Sequence, residues 1–501
     1  IDGTELPEEL LFRLSPGFFE RLKQLGKFDF KELHKFKIPT IEYAGKRAES
    51  VILAQAAITG AAAPLQVERC FTGAALSKKT QLDIFQEAQN RDDPNWHNMI
   101  VQGDNLQFLK TCYTNQDPLI RDKVKGKVKL VYIDPPFATK SDFQSKGGEQ
   151  SYSDKIDSAE FIECIRERLI YLREIMADNG SIYVHLDARM GHLIKVVLDE
   201  IFGKNNFRNE LIWKRTSAHA DTTGYANVHD ILLYYSKSDS LTFNPVYTTY
   251  SEAHIKRRYN RKDTDGRAFT DSDLVATGLR GGGYDYVWRG VKRSWRCPIE
   301  TMRRYESENR LYYTREGLAR IKRYLDEVKG NPPSDVWSDI FPVNSRAVER
   351  LNYPTQKPEA LVERIIRSSS NEGDIILDCF SGSGTTAAVS EKLGRRWVVC
   401  DFGKHAIYTM QKRILHISET KALGQEVSKT EKFNRPPQPF CIISTGAYDF
   451  ARIMNLRGNK DAYISFVLGL FNITSEECDY SAKYKLSNIY AEKENNPVEV
   501  Y

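Results

Sequence analysis

The stretch Val128-Lys-Leu-Val-Tyr-Ile-Asp134-Pro135-Pro136-Phe137 predicts a buried strand that ends abruptly. Val128, Leu130, Val131 and Ile133 are apolar and mostly β-branched, which is typical of a strand inside a sheet. The two prolines supply no backbone N–H donors, and Pro135 holds Asp134 in an extended conformation. Because ligands bind beyond the carboxyl ends of strands in open α/β sheets, Asp134 is predicted to face a binding site.

The residues that follow this strand suit recognition of a flat amine. An ionised Asp134 accepts a hydrogen bond from an exocyclic amino group, and the carbonyl of Pro135 can accept a second one. Phe137 can stack on the ring that carries the amine. We therefore take Asp134, Pro135, Pro136 and Phe137 as candidate catalytic residues, although an ordinary strand with a Pro-Pro turn explains the tetrapeptide equally well.

Strands and helices alternate on both sides of this stretch, which predicts a doubly wound α/β domain whose sheet is parallel at the strand-helix-strand unit of residues 96–137. Asp104 also follows a strand, where it serves equally well as a ligand-binding residue or as a helix N-cap. His185 and Asp187 end another strand, and a packing role is favoured for His185. The predicted elements are strands at Asn98–Gln102, Ser181–Asp187, Asn209–Lys214 and His229–Tyr235, and helices at Leu106–Cys112, Ser158–Ala177 and Gly191–Phe202.

A second motif, Asp378-Cys-Phe-Ser-Gly382-Ser-Gly384-Thr-Thr, lies between a strand and a helix. Its glycines allow the backbone to approach a ligand closely, and the N-terminus of the helix favours a carboxylate. Asp401 ends the next strand and is placed to bind ribose hydroxyls. No lysine follows Gly384, which excludes a P-loop. The motif alone leaves a methyltransferase and a nicotinamide or flavin enzyme equally open.

Residues 245–340 interrupt the α/β pattern with a segment rich in Arg, Lys, Tyr, Trp and Gly. Cationic side chains neutralise phosphates, and aromatic and guanidinium planes stack on or read bases. The alternative is a solvated surface with a few buried aromatic residues. The candidate DNA-binding residues are Arg280, Arg289, Arg293 and Arg296.

Composition is that of a water-soluble protein of two to four domains, with 501 residues, 41% hydrophobic and 28% charged. A net charge of +5 permits nucleic-acid binding without requiring it. The eight cysteines form no C-x-x-C pair, so we expect reduced thiols, with neither a disulfide framework nor a metal site. The apolar run Val51–Leu65 is shorter than the ~20 residues of a membrane span, and no signal peptide is evident.

Three motifs together resemble those of a DNA amino methyltransferase. They are Asp-Pro-Pro-Phe at 134–137, Thr-Gln-Lys-Pro at 355–358 and the glycine-rich motif at 378–386. Their order is that of the β class, in which the catalytic motif precedes the target-recognition domain and the cofactor loop follows it. The resemblance covers about residues 95–420 and extends to bacterial adenine-N6 methyltransferases of restriction-modification systems, including their Mod subunits. One departure is Cys379, where the family usually has proline.

The resemblance implies a Rossmann-like class I methyltransferase fold that uses S-adenosylmethionine. Asp134 to Phe137 would hold a target base outside the duplex. Asp401 would bind the ribose of the donor, and Asp104 would lie near its adenine. The remaining cofactor-binding candidates, around the methionine end, are Thr355, Lys357, Asp378, Phe380, Gly382, Ser383, Gly384 and Thr385.

The sequence patterns and the resemblance together divide the chain into a mainly helical N-terminal extension (1–95), a catalytic half (96–244), a target-recognition insertion (245–340), a cofactor half (341–425) and a C-terminal extension (426–501). The resemblance implies double-stranded DNA as substrate and a cytoplasmic location in a bacterium or archaeon. A second copy of the chain, or restriction or helicase subunits, are candidate partners, and no membrane is expected.

The target atom is expected to be N6 of adenine, because cytosine-N4 members of the family usually carry Ser where this chain has Asp134. Cytosine N4 remains the alternative. Two further alternatives come from other classes, namely a dinucleotide-dependent oxidoreductase and a catalytically inactive DNA-binding subunit.

Overall fold

The structure, a computed structural model, describes residues 39–43, 45–57, 63–71, 96–136, 142–144, 150–153, 158–217, 224–276, 283–424, 428, 430–446, 464, 489–493 and 496–499. Two predicted site residues, Phe137 and Arg280, lie outside the described residues, as do residues 1–38 of the predicted N-terminal extension. The chain divides into two compact units, residues 1–244 together with 335–501, and residues 245–334.

The secondary structure follows the predicted alternation. The described strands are β1 (Leu65–Phe71), β2 (Asn98–Gln102), β3 (Val128–Ile133), β4 (Asp142–Gln144), β5 (Gln150–Ser153), β6 (Met176–Asp187), β7 (Phe207–Lys214), β8 (His229–Ser236), β9 (Arg261–Lys262), β10 (Ala268–Asp273), β11 (Tyr284–Trp288), β12 (Val291–Trp295), β13 (Leu311–Tyr313), β14 (Ala319–Tyr324), β15 (Val336–Trp337), β16 (Ile375–Asp378), β17 (Arg396–Asp401), β18 (Phe440–Thr445), β19 (Ile489–Lys493) and β20 (Asn496–Glu499). The described α-helices are α1 (Glu49–Ala57), α2 (Asn105–Thr114), α3 (Ser158–Ile175), α4 (Gly191–Phe202), α5 (Glu252–Arg258), α6 (Ile299–Ser307), α7 (Glu359–Ser369), α8 (Thr385–Lys392) and α9 (Lys404–Leu415).

A ten-stranded sheet forms the centre of the larger unit, in the order β1-β18-β2-β17-β16-β3-β6-β8-β7-β15. The six strands from β18 to β6 in this order run parallel to one another, and β8 pairs antiparallel with both β6 and β7. Because parallel strands are joined by crossover helices, both faces of the central sheet are covered. The predicted doubly wound, Rossmann-like α/β architecture is confirmed.

Strand β3 shows how the sequence produces this layering. Alternate side chains of a strand point to opposite faces of the sheet. Val131 packs in one apolar cluster with Leu169 of α3. Leu130 packs in a second cluster with Ile365 of α7. A strand buried on both faces needs apolar side chains at successive positions, which explains the nearly continuous apolar run before Asp134.

Two terminal strands correct the predicted domain boundaries. The N-terminal region contains helix α1 but also β1, which pairs antiparallel with β18 in the large sheet. Strand β18 lies within the predicted C-terminal extension and pairs parallel with β2. The described part of the predicted N-terminal extension therefore contains a strand as well as a helix, and β18 is part of the central sheet. Strand β1 has no clean alternation of apolar and polar residues, so only its pairing identifies it.

Cys70 and Cys441 form a disulfide between β1 and β18, which contradicts the prediction of reduced thiols for this pair. The two residues lie directly opposite each other in the antiparallel register, and their Cα atoms are 4.2 Å apart. They are separated by 371 residues in the chain. Spacing in the sequence therefore carried no sign of the pairing. The described cysteines that remain free are Cys112, Cys164, Cys297, Cys379 and Cys400.

The smaller unit, residues 245–334, has its own core. Strands β13, β14, β10 and β9 form one sheet in that order, and β11 and β12 form a hairpin. Trp288, Trp295 and Met302 are buried in its apolar cluster. The predicted insertion extended to residue 340, but β15 at Val336–Trp337 pairs parallel with β7 in the large sheet. None of the helices in the described part of the chain has the length and apolarity needed to span a membrane.

Candidate active site

Carboxylates mark the carboxyl ends of five neighbouring strands of the central sheet. Asp104 follows β2, Asp401 ends β17, Asp378 ends β16, Asp134 follows β3 and Asp187 ends β6. All but Asp187 line one cavity of about 530 Å³. The other sequence-predicted residues that line it are Pro135, Pro136, Thr355, Lys357, Phe380, Gly382, Ser383 and Thr385. The structure thus brings together motifs that are more than 200 residues apart in the chain.

Gly384 is the one described cofactor candidate that does not line the cavity, and its role is conformational. It precedes α8 with a left-handed backbone, φ +74°. A Cβ atom at this position would lie 2.6 Å from Cγ of Met410. Any other side chain here would strain the turn and clash with α9, so the loop requires glycine.

Asp378 accepts hydrogen bonds from two residues of the glycine-rich motif. Its Oδ1 accepts a hydrogen bond from the backbone N–H of Phe380 at 2.9 Å, and its Oδ2 accepts one from the hydroxyl of Thr386 at 2.6 Å. Burial raises the pKa of Asp378 to about 7, although these hydrogen bonds act to lower it. The carboxyl group therefore fixes the loop through these two hydrogen bonds, although burial disfavours its charged form.

Asp401 and Asp104 are both held by backbone N–H groups. Asp401 accepts hydrogen bonds from Gly382 at 2.8 Å and Gly403 at 2.9 Å, and burial raises its pKa. Asp104 caps α2 by accepting from the N–H of Gln107 at 3.0 Å, so it both caps the helix and lines the cavity. A carboxylate oxygen can accept more than one hydrogen bond, so neither residue has exhausted its acceptor capacity.

Asp134 forms an ion pair with Lys357, whose ammonium group contacts Oδ2. The other oxygen, Oδ1, is buried and has no hydrogen-bond partner in the described structure. The resemblance placed Lys357 near the methionine end of the donor, whereas the structure places it on the candidate catalytic carboxylate.

Several cavity residues were not predicted from the sequence. Arg168 of α3 donates from Nε to Oδ1 of Asn105 at 2.6 Å, and Nδ2 of Asn105 donates to the carbonyl of Cys379 at 2.8 Å. The Tyr353 ring stacks on His405, with centroids 5.3 Å apart. The remaining unpredicted lining residues include Cys164, Phe402 and Lys404. Phe402 had a local signal, since it directly follows the strand that ends at Asp401, but Arg168 looks like any polar residue of an amphipathic helix.

His185 is buried and does not line the cavity. It belongs to a row of buried polar side chains that contact one another. Its Nδ1 is 2.9 Å from the hydroxyl of Tyr132, and its Nε2 is 3.3 Å from Oδ2 of Asp230. Arg215 forms an ion pair with the same carboxylate at 3.0 Å. Burial acts to raise the pKa of Asp230, but the contacts with His185 and Arg215 hold it below its usual value. Asp187 accepts from two backbone N–H groups and fixes the turn before α4.

No group of three or more His, Cys, Asp or Glu side chains is placed to hold a metal ion among the residues that the structure describes.

The candidate DNA-binding arginines differ in their surroundings. Arg289 forms an ion pair with Glu306 at 2.6 Å and lies over the Tyr313 ring. Arg293 is exposed, and Arg296 is exposed but donates from Nε to the carbonyl of Val275 at 2.9 Å.

Residues 128–412 match a family model for N6/N4 enzymes whose description is DNA methylase. The chain belongs to this family. The match begins at the first residue of β3 and ends within α9, so it includes both motifs and the segment between them. The resemblance drawn from the sequence is confirmed at the level of the family.

Curated relatives of this DNA methylase include the type II methyltransferase M.EcaI of Enterobacter cloacae, which is 32% identical over 305 residues, 60% of this chain and 67% of that protein. The Mod subunit of the type III restriction-modification enzyme StyLTI of Salmonella typhimurium is 26% identical over 353 residues, 62% of this chain and 53% of that subunit. The chain thus spans about half the length of that Mod subunit. Among solved structures, the M1.HpyAVI-SAM complex superposes with a TM-score of 0.35 and 18% identity, covering 63% of this chain and 98% of that one.

Proposed function

We propose that this DNA methylase transfers a methyl group from S-adenosylmethionine to N6 of adenine in double-stranded DNA. The observation that supports this most directly is that one cavity contains both an acceptor for an amine and a glycine-rich loop suited to a donor. The acceptor is Oδ1 of Asp134, which has no partner in the described structure. The loop contributes Gly382 and Thr385 to the same lining.

The residues present fit S-adenosylmethionine. A cavity of about 530 Å³ lies within the usual range of ~300–1,000 Å³ for small-molecule sites. The N-terminus of α8 at Thr385 would bind the carboxylate, and Asp401 would accept hydrogen bonds from the ribose. The exposed ring of Phe402 would cover the donor's adenine near Asp104. When bound, this cofactor supplies an electrophilic methyl group on a sulfonium.

On the other side of the cavity, Asp134 to Phe137 would hold the target base. The base must leave the duplex, since its amine is inaccessible within the stack. Asp134 Oδ1 accepts from the amino group, and the carbonyl of Pro135 accepts the second hydrogen. These contacts hold the nitrogen in line with the methyl group, and the carboxylate stabilises the positive charge that develops on nitrogen. Phe137 would stack on the ring.

The choice of adenine rests on the residue type at position 134, since Asp rather than Ser is usual in adenine-N6 members of the family. Cytosine N4 is the second candidate, because it too is an exocyclic amine beside a ring nitrogen and would fit the same acceptors. The glycine motif alone was also compatible with a nicotinamide or flavin enzyme. We reject that alternative because the chain belongs to a DNA methylase family.

We assign sequence recognition to the inserted unit. The described candidates Arg289, Arg293 and Arg296 are all exposed, and Arg289 also has an acidic partner and an aromatic contact within the unit. Because one relative is named as the Mod subunit of a type III restriction-modification enzyme, we further propose that this chain works beside a restriction subunit. Co-purification of a tagged chain with the products of neighbouring genes tests that partnership.

Nucleoside mass spectrometry tests the reaction. The purified chain is incubated with S-adenosylmethionine and unmethylated genomic DNA, which is then digested to nucleosides. N6-methyl-2′-deoxyadenosine is expected, and its absence from a reaction without donor is the control. N4-methylcytosine without N6-methyladenine would show that the target atom is wrong. No methylated nucleoside under any condition would favour an inactive DNA-binding subunit instead.

A further inference from the structure

Building on the proposed function, we propose that Lys357 is a positioning residue for the catalytic carboxylate. It occupies Oδ2 of Asp134 and thereby leaves Oδ1 to accept the amine of the target base. The residue belongs to the Thr-Gln-Lys-Pro segment, which the resemblance had placed with the cofactor.

The contact is made by two largely buried groups. The exposed fraction of the Lys357 side chain is 13% and that of Asp134 is 17%. The ammonium contacts one carboxylate oxygen, and the other oxygen is buried without a hydrogen-bond partner in the described structure. A buried acceptor without a hydrogen-bond partner costs free energy of desolvation, and a donor group on a bound ligand would remove that cost. The two oxygens of Asp134 therefore have different roles.

The backbone of Lys357 is tied to the cofactor side of the cavity. Its carbonyl accepts a hydrogen bond from the hydroxyl of Thr385 at 3.1 Å. Thr385 is the first residue of α8, immediately after the glycine-rich loop, and its hydroxyl also accepts from Arg413 at 3.0 Å. Pro358, the next residue, is the N-cap of α7. Lys357 therefore bridges the loop that would hold the donor and the carboxylate that would hold the base.

This bridge matters because methyl transfer needs the nitrogen in line with the methyl group. Without Lys357, the carboxylate of Asp134 is free to rotate and exchange its two oxygens. A displacement of about 1 Å at a reacting centre can cost about 100-fold in rate. Removal of the ammonium should therefore lower the rate constant of methyl transfer much more than it weakens donor binding.

The test compares Lys357→Met and Lys357→Arg with the wild-type chain. With Lys357→Met we expect kcat for DNA methylation to fall about 100-fold, while the Kd for S-adenosylmethionine, measured by calorimetry, changes less than about 3-fold. Lys357→Arg should recover much of the lost kcat, since a guanidinium also pairs with a carboxylate. Lys195→Met is the matched control, because it removes the ion pair with Asp199 at 2.7 Å outside the cavity and should leave kcat unchanged.

A double-mutant cycle with Asp134→Asn separates positioning from a general structural effect. If Lys357 acts through Asp134, Lys357→Met should cause little further loss of kcat in the Asp134→Asn background. Equal losses in both backgrounds, or a large rise in the Kd for the donor with kcat unchanged, would overturn the inference. If Lys357→Met does not fold in a thermal-unfolding scan, Lys357→Gln, which also removes the ammonium group, takes its place in the cycle. A wild-type chain that methylates no DNA would instead refute the proposed function.

Discussion

At the residue scale, the proposed roles are divided between Asp134, which would act on the target base, and the glycine-rich loop, which would hold the donor. Asp134 would contact the target amine, whereas the donor would lie against the glycine-rich loop and Asp401. An interaction made mainly in the transition state affects rate more than binding.

We predict that Asp134→Ala abolishes methyl transfer and leaves the Kd for S-adenosylmethionine within about 3-fold of wild type. Single-turnover assays with tritiated donor measure the first quantity, and calorimetry measures the second. Asp178→Ala is the matched control, since Asp178 is 96% exposed and does not line the cavity. Substantial turnover by purified Asp134→Ala would contradict the catalytic assignment.

Asp378 supports a prediction about stability and pH. Its pKa is raised by burial to about 7 from 3.8, so the folded protein binds a proton here that the unfolded chain has lost. The stability that this group contributes is present below about pH 4 and is lost as the pH rises towards 7. Asp378→Asn removes the titrating group. The difference in free energy of unfolding, variant minus wild type, should therefore be larger at pH 8 than at pH 5.

Urea unfolding of both proteins at the two pH values measures this difference, and identical pH profiles would show that Asp378 does not titrate in this range. An asparagine can still accept from Phe380 through its carbonyl and donate to Thr386 through its amide, so the loop contacts are retained.

At the element scale, the sequence predicted strand ends well and contacts between elements poorly. Asp134, Asp378 and Asp401 were placed correctly because each follows an apolar strand, which is a local signal. The pairing of Lys357 with Asp134 joins residues 223 positions apart, and the Arg168–Asn105 contact joins two helices. Neither contact leaves a periodic or compositional trace. The distribution of acceptors within the cavity could therefore be learned only from the fold.

The disulfide between β1 and β18 gives an element-scale prediction. The bond closes a very long loop and so restricts the unfolded chain, an effect typically worth about 2–4 kcal/mol. Replacing both Cys70 and Cys441 by serine should lower the free energy of unfolding by about that amount while kcat stays near wild type, since neither residue lines the cavity.

Chemical unfolding with and without a reducing agent provides the measurement. Wild type should lose stability when reduced, and the double serine variant should be insensitive to the reductant. Equal sensitivity in both proteins would show that the bond does not form in solution.

At the scale of the whole molecule, the site and the inserted unit are separate in the chain. The cavity is built by the larger unit, and residues 245–334 form a compact unit with their own core. The start of the inserted unit near residue 245 was predictable from the sequence, because clustered Arg and aromatic residues interrupt the alternation of apolar strands and helices. The far boundary was not visible, since β15 is only two residues long and its pairing with β7 is what returns the chain to the sheet.

This division predicts that the inserted unit decides which DNA sequence is modified and the larger unit decides which atom. Exchanging residues 245–334 for the corresponding segment of a related DNA methylase should change the methylated sequence, read by sequencing modified DNA, while the methylated nucleoside stays the same. Within the unit, Arg293→Ala should weaken discrimination between bases or, if Arg293 contacts phosphate, weaken binding equally for all sequences. Arg289→Ala should lower the free energy of unfolding of the unit by no more than about 1 kcal/mol, because its ion pair with Glu306 is exposed. A folded exchange variant that keeps the original target sequence would assign recognition to the larger unit instead.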